Sequence, residues 1–240
     1  MRIAIVTPYY NEDNETLIRC IDSVKAQTVK CSHIMVGDGG ALSPASAFAD
    51  EHIVLPKSCQ DYGDTPRMIG ATFAFTQGYD AMCWLDADNW FEPNHVEEML
   101  EAVNLNPTAE IITATRNLRR PDGSLLGVCD ESNGETFNDT NCYFILRSAM
   151  SIAKEWVFKN KKEAIIGDRK VWEAAKKFSR EHVTTPTVNY TTMFGVHYAQ
   201  RGENPPKGAK VILSTDGGEN FNMVSWDEYL AIIANLPKQA

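Results

Sequence analysis

Ile3-Ala4-Ile5-Val6-Thr7-Pro8 is followed by Leu17, Ile18, Ile21 and Val24 on one helical face, and then by Ile34-Met35-Val36-Gly37. The first and third runs are short, apolar and closed by Pro8 and Gly37, as buried strands are. The middle run follows polar residues from Asn14 that suit a helix start, and its pattern fades near Gln27-Thr28. A strand, a helix and a strand in this order predict a parallel pair joined by a right-handed crossover. The alternation continues outward with a strand at 53–55 stopped by Pro56, a helix over about 66–77 and a strand at 81–85. A helix opened by Pro93, with Val96, Met99, Leu100 and Val103 on its apolar face, then leads to a strand at 111–115. This pattern predicts an α/β fold with a central, mostly parallel sheet flanked by helices.

Beyond Thr115 the texture loosens. A Pro-Asp-Gly turn lies within 119–123, and the segment 130–141 is rich in Asp, Asn, Ser, Thr and Gly, so both read as loops. Strand character returns at 142–146, followed by helical stretches near 149–158 and 168–178 and a β-like segment at 187–190. The Gly- and Pro-rich stretch 202–218 reads as a linker into a helix near 226–236.

Composition bounds the function. The 240 residues carry 32 Asp and Glu against 23 Lys and Arg, a net charge of −9, which is the wrong sign for gathering a nucleic-acid backbone. The longest apolar run, Tyr229 to Ala234, is far short of the roughly 20 residues that cross a bilayer, and the opening run is too short for a signal peptide. A cytoplasmic location is therefore the expectation. The six cysteines have no CxxC spacing and no histidine at zinc-ligand distance, so they read as reduced thiols.

In open α/β sheets ligands sit beyond the carboxyl ends of the strands. Three such ends carry polar groups: Thr7 with Tyr9-Tyr10-Asn11-Glu12, Asp38 in Gly37-Asp38-Gly39-Gly40, and Asp86-Ala87-Asp88-Asn89. Asp86 and Asp88 repel one another unless a cation lies between them, and a hard divalent ion bridging carboxylate and phosphate resolves the repulsion. A solvated loop with an Asp cap is the plainer reading of the same residues. Gly39 and Gly40 equally suit close ligand approach or a simple turn.

Taken together, Val6-Thr7-Pro8-Tyr9-Tyr10-Asn11-Glu12, the helix with Ser23 and Gln27-Thr28, Val36-Gly37-Asp38-Gly39-Gly40, and Tyr79 to Asn89 with its Asp-x-Asp motif resemble family 2 glycosyltransferases of the GT-A fold, a Rossmann-like sheet architecture. The resemblance spans about residues 3–100. It implies an inverting transferase that moves a sugar from a nucleotide-diphosphate donor, UDP being the most frequent, to a hydroxyl of a glycan, lipid-linked or small-molecule acceptor, with Mn²⁺ or Mg²⁺ at the diphosphate. It further implies that Thr7 and Asp38 hold the nucleobase and ribose, that Asp86 meets the ribose or metal, and that Asp88 binds the metal.

Arg67, at a helix start in Asp64-Thr65-Pro66-Arg67, matches the family's basic donor-binding position, where a guanidinium suits a diphosphate. A salt bridge is its plainer role. Inverting transfer needs a general base. Ile165-Ile166-Gly167-Asp168-Arg169 resembles the family's acidic motif ahead of a helix and makes Asp168 the base, a simple helix N-cap being the alternative. Asp130 and Glu131 stand in reserve. His197 lies where some GT-A enzymes place an extra metal ligand, or is a buried, satisfied histidine; Arg116, Arg119 and Arg120 read as an acceptor or diphosphate patch, or as a solvated loop. The expected division is one domain over 1–200, with a nucleotide-binding half at 1–115 and an acceptor half at 116–200, then a linker and helix over 201–240. A nucleotidyltransferase acting on a sugar phosphate and a non-catalytic nucleotide-sugar binder are the alternatives. The former needs a basic glycine-rich loop after the first strand, where this chain has Tyr9-Tyr10-Asn11-Glu12-Asp13.

Overall fold

The computed structural model describes residues 1–39, 47–215 and 220–235. Gly40, the 216–218 end of the expected linker and the last residue of the expected C-terminal helix lie outside them. The opening unit is β1 (Ile3–Tyr9), α1 (Asn14–Lys25) and β2 (Ser32–Gly37), with β1 and β2 parallel as expected. Asp13 caps α1 by accepting from the Thr16 amide at 2.8 Å, and Lys25 sits in its last turn, both favourable to the helix dipole. The helix buries Leu17, Cys20, Ile21 and Val24. Ile18, expected on the same face, is exposed, because a 3.6-residue period turns position 18 away from the 17, 21 and 24 stripe and brings Cys20 in.

Next come β3 (Glu51–Val54), α2 (Asp64–Thr76), β4 (Ala81–Trp84), β5 (Trp90–Phe91), α3 (His95–Leu105) and β6 (Ile111–Arg119). The second half adds β7 (Leu125–Val128), β8 (Tyr143–Leu146), 3-10 segments at Arg147–Trp156 and Lys161–Ile166, α4 (Gly167–Ala175), β9 (Arg180–Thr191) and α5 (Gly195–Ala199). The main sheet runs β3-β2-β1-β4-β8-β6-β9-β5, with β7 also on β6. Pairing directions set β1, β2, β3, β4, β6 and β9 running one way and β5, β7 and β8 the other, so the sheet is mostly parallel.

Both faces are covered, as a parallel sheet requires. Ala4, Val6, Ile34, Val36, Met82 and Trp84 pack with α2, α4 and Trp156 on one side. Ile3, Ile5, Ala81 and Cys83, the alternate residues of the same strands, pack with Cys20 and Val24 of α1 and Val96 and Met99 of α3 on the other.

Three expectations need correction. β6 continues to Arg119, because Thr113, Thr115, Arg116 and Asn117 are buried polar residues whose side chains all find partners. β9 begins at Arg180 rather than 187, and its pairing with β6 shifts register around Pro186, which has no amide to donate. The 202–218 stretch is more than a linker, since it contains β10 (Lys210–Thr215), which forms an antiparallel hairpin with β11 (Asn220–Ser225) ahead of α6 (Trp226–Ala234). All six cysteines are free, and no helix among the described residues is long and apolar enough to cross a membrane.

Candidate active site

A cleft of about 720 Å³ opens at the carboxyl ends of β1, β2 and β4, a size suited to a nucleotide-sized ligand. β1 contributes Pro8 and Tyr9, the turn after β2 contributes Asp38, and the turn after β4 contributes Asp86, Ala87 and Asp88. Arg67 arrives on the first turn of α2 and Asp168 on the first turn of α4. The cleft therefore gathers Asp38, Arg67, Asp86, Asp88 and Asp168 of the residues singled out in the sequence. It does not gather Thr7 or His197.

Thr7 is fully buried within β1, and its hydroxyl is held 2.8 Å from His33 Nε2, so its side chain is turned away from the cleft. His197 is also buried. Its Nδ1 lies 2.6 Å from Thr192 Oγ1, its ring meets those of Tyr190 and Phe194 edge-on, and burial followed by Arg116 and Arg201 pushes its pKa down to about 4. Among the described residues no three His, Cys, Asp or Glu side chains are grouped to hold a metal ion, so Asp86, Asp88 and His197 are not brought together as a ligand set.

Asp38 accepts from Ser58 Oγ at 3.0 Å and from the Cys59 amide at 2.8 Å. Gly39 makes this possible: its φ is +108°, and a Cβ there would lie 2.7 Å from the Ser58 amide nitrogen. Arg67 grips Asp86 Oδ1 with Nε at 3.1 Å and Nη2 at 2.6 Å, and donates through Nη1 to the Tyr62 carbonyl at 2.9 Å. Its guanidinium is thus already committed, in a pair that is largely buried rather than at the surface.

Asn141 completes the hold on Asp86. Its Oδ1 accepts from the Asp86 amide at 2.6 Å, while Nδ2 donates to Asp86 Oδ2 at 3.2 Å and to Asp139 Oδ1 at 2.8 Å. Asp139 in turn pairs with buried Arg116, which stacks over the Tyr190 ring. At the other end Asp64 lies 2.6 Å from Lys159 Nζ and 3.7 Å from Arg67. A chain of charges therefore runs along the cleft from Lys159 to Arg116, alternating in sign except where Asn141 bridges Asp86 and Asp139, so that most buried ions face an opposite one. Burial still pushes Asp64 up to about 6, against the pull of Lys159.

Among the cleft carboxylates outside that chain, two have raised pKa values. Asp88 has its carbonyl pinned by Thr191 Oγ1 and Arg19, while its side chain is exposed at the cleft. Desolvation, then Asp86 and Glu12, push its pKa up to about 7. Because the side chain is open on the cleft side, the repulsion from Asp86 and Glu12 is the part a bound cation would reverse. Asp168 is half-buried and is pushed up to about 6 by burial and then by Asp139. It is the second residue of α4, not its cap, and its own Oδ1 accepts only locally, from the Arg169 amide at 2.7 Å.

Asp139 and Asn141 belong to the polar 130–141 loop but carry no motif of their own in the sequence; Asp130 and Glu131, the reserve candidates of that loop, are exposed and do not line the cleft. The arginines do not form a patch: Arg116 is buried against Asp139, Arg119 bonds Asn189, and Arg120 pairs with Glu203.

Residues 4–124, half of the chain, match the family described as Glycosyl transferase family 2. The hyaluronan synthase of Streptococcus pyogenes is 29% identical over 137 residues, covering 52% of this chain and 32% of the synthase. The undecaprenyl-phosphate mannosyltransferase of Micrococcus luteus is 29% identical over 131 residues, covering 52% of each chain. The chain thus spans about a third to a half of the length of these relatives. Among solved structures, S. aureus TarS 1-349 in complex with UDP superposes with a TM-score of 0.61 at 10% identity over 84% of this chain and 63% of TarS. The same protein in complex with UDP-GlcNAc gives 0.61 at 11% identity over 80% and 59%. The fold is accordingly GT-A-like, and the chain belongs to glycosyl transferase family 2.

Proposed function

We propose that this domain transfers a sugar, with inversion, from a nucleoside-diphosphate donor to an acceptor hydroxyl, using Asp168 as general base and a divalent cation at Asp88. The observation that carries the reading is that Asp88 and Asp168 line one cleft, each outside the buried charge chain and each with a raised pKa. A carboxyl near 6 is ionised at neutral pH yet basic enough to accept a proton, the compromise a general base needs. Asp168 takes the acceptor proton as the acceptor oxygen bonds to the anomeric carbon and the bond from that carbon to the diphosphate breaks. Asp38, fixed by Ser58 and Cys59, presents its remaining acceptor capacity to the base or ribose. Asp86, locked by Arg67 and Asn141, sets the turn that aims Asp88 into the cleft.

The chemistry of an exposed Asp88 beside Asp86 and Glu12 fits Mn²⁺ or Mg²⁺, which would neutralise the diphosphate as it leaves. UDP is the nucleotide we favour, in line with the UDP and UDP-GlcNAc carried by TarS. We take the acceptor hydroxyl to belong to a growing glycan or a lipid-linked acceptor, in line with the names of the relatives. Six free cysteines suit a reducing compartment, so we place the domain in the cytoplasm. We read residues 1–200 as one catalytic domain, with 1–115 on the nucleotide side and 116–200 on the acceptor side.

The test is release of nucleoside diphosphate from UDP-GlcNAc, UDP-glucose, UDP-glucuronate and GDP-mannose with Mn²⁺, by wild type and Asp88→Ala. Turnover of at least one donor is expected, with a loss of about 100-fold or more in the variant. Undiminished turnover in Asp88→Ala excludes the metal role.

A further inference from the structure

We propose that Lys210, on the C-terminal hairpin, binds the diphosphate of the donor and stabilises it as the leaving group. The proposal rests on the donor reading above. Eight Asp and Glu side chains line the cleft among the described residues, against two cations, Arg67 and Lys210. A diphosphate entering so acidic a cleft needs positive charge from the protein as well as from a metal. Arg67 cannot supply it freely, since its donors are held by Asp86 and the Tyr62 carbonyl. Lys210 makes no ion pair among the described residues; its ammonium lies 5.2 Å from the Phe194 ring centroid, and its charge is felt at Asp88.

The position is built, not incidental. The Lys210 amide donates to the Met193 carbonyl at 2.8 Å, and the residue bridges to Phe194. At the same end the second strand is tied in as well: the amide of Trp226 donates to the Ala209 carbonyl at 2.8 Å, and its ring packs on Gly195, where a Cβ would fall 2.1 Å from Cε3. Ile212, two residues along β10, and Met223, its cross-strand partner, face the same cleft. Lys210 therefore sits where both strands of the hairpin are tied to the rest of the fold, and an ammonium presented this way acts as a compact point charge on a phosphate.

The experiment is calorimetric titration of UDP, GDP, UMP and uridine, with Mn²⁺, into wild type, Lys210→Met and Lys210→Arg, with kcat and KM for the accepted donor. Lys210→Met is expected to bind its nucleoside diphosphate about 10- to 100-fold more weakly, the nucleoside unchanged and kcat reduced, with substantial recovery in Lys210→Arg. Circular dichroism melting checks that the variant folds. Unchanged diphosphate affinity in Lys210→Met, or an equal loss for uridine and UDP, overturns the assignment while leaving the donor reading intact. Failure of wild type to bind either UDP or GDP overturns both.

Discussion

Asp168→Asn is expected to reduce transfer by about 10²- to 10⁴-fold while nucleotide affinity is retained, because the amide keeps the shape but cannot take a proton. The pH behaviour follows from the same carboxyl. Its folded pKa of about 6 lies above the reference 3.8, so the basic form is lost as pH falls through 6, and the wild-type rate should rise between about pH 5 and 7 and then level. Linkage gives the opposite slope for stability. The folded state binds this proton more tightly than the unfolded chain, so the stabilisation is present below 3.8 and is lost as pH rises through 6. The Asn variant should therefore melt above wild type at pH 8, with the difference vanishing near pH 4. A variant that is inactive and also less stable at pH 8 would instead mark Asp168 as a structural residue.

Arg116→Met should give the largest loss of stability. Arg116 and Asp139 are 4% and 7% exposed at their side chains, and removing the guanidinium leaves a buried carboxylate without its cation. Breaking such a pair costs about 3 to 5 kcal/mol, read as a shift in the denaturant midpoint. Because the cost comes from the stranded Asp139, adding Asp139→Asn should recover part of it. A loss below about 1 kcal/mol in the single variant would mean that Asp139 is relieved by other groups, Asn141 first among them.

The fold was legible because the parallel strands and α1 to α3 follow simple periods: two residues for Ile3 to Val6, split between the two faces, and 3.6 for Leu17, Ile21 and Val24. The second half was harder to read, since β6 and β9 bury Thr, Asn and Arg that only partners distant in sequence can satisfy. The same holds for the cleft. Asp38, Asp86, Asp88 and Asp168 announce themselves at strand ends and helix starts, whereas Asn141 matters through Asp86, 55 residues away. Lys210 was hidden for another reason: the Gly- and Pro-rich stretch before it resembles a linker, and the pairing of Lys210 with Ser225 that makes a hairpin leaves no local mark. Thr7 shows the converse, a residue in the expected motif whose side chain faces the interior.

The most direct test of the site is calorimetric titration of UDP into wild type and Asp88→Ala, each with Mn²⁺ and with EDTA. Wild type should bind at least about tenfold more tightly with Mn²⁺, a difference of about 1.4 kcal/mol, and Asp88→Ala should bind equally weakly in both conditions. Metal-independent binding by wild type, or a metal effect that survives in Asp88→Ala, would contradict a cation held at Asp88.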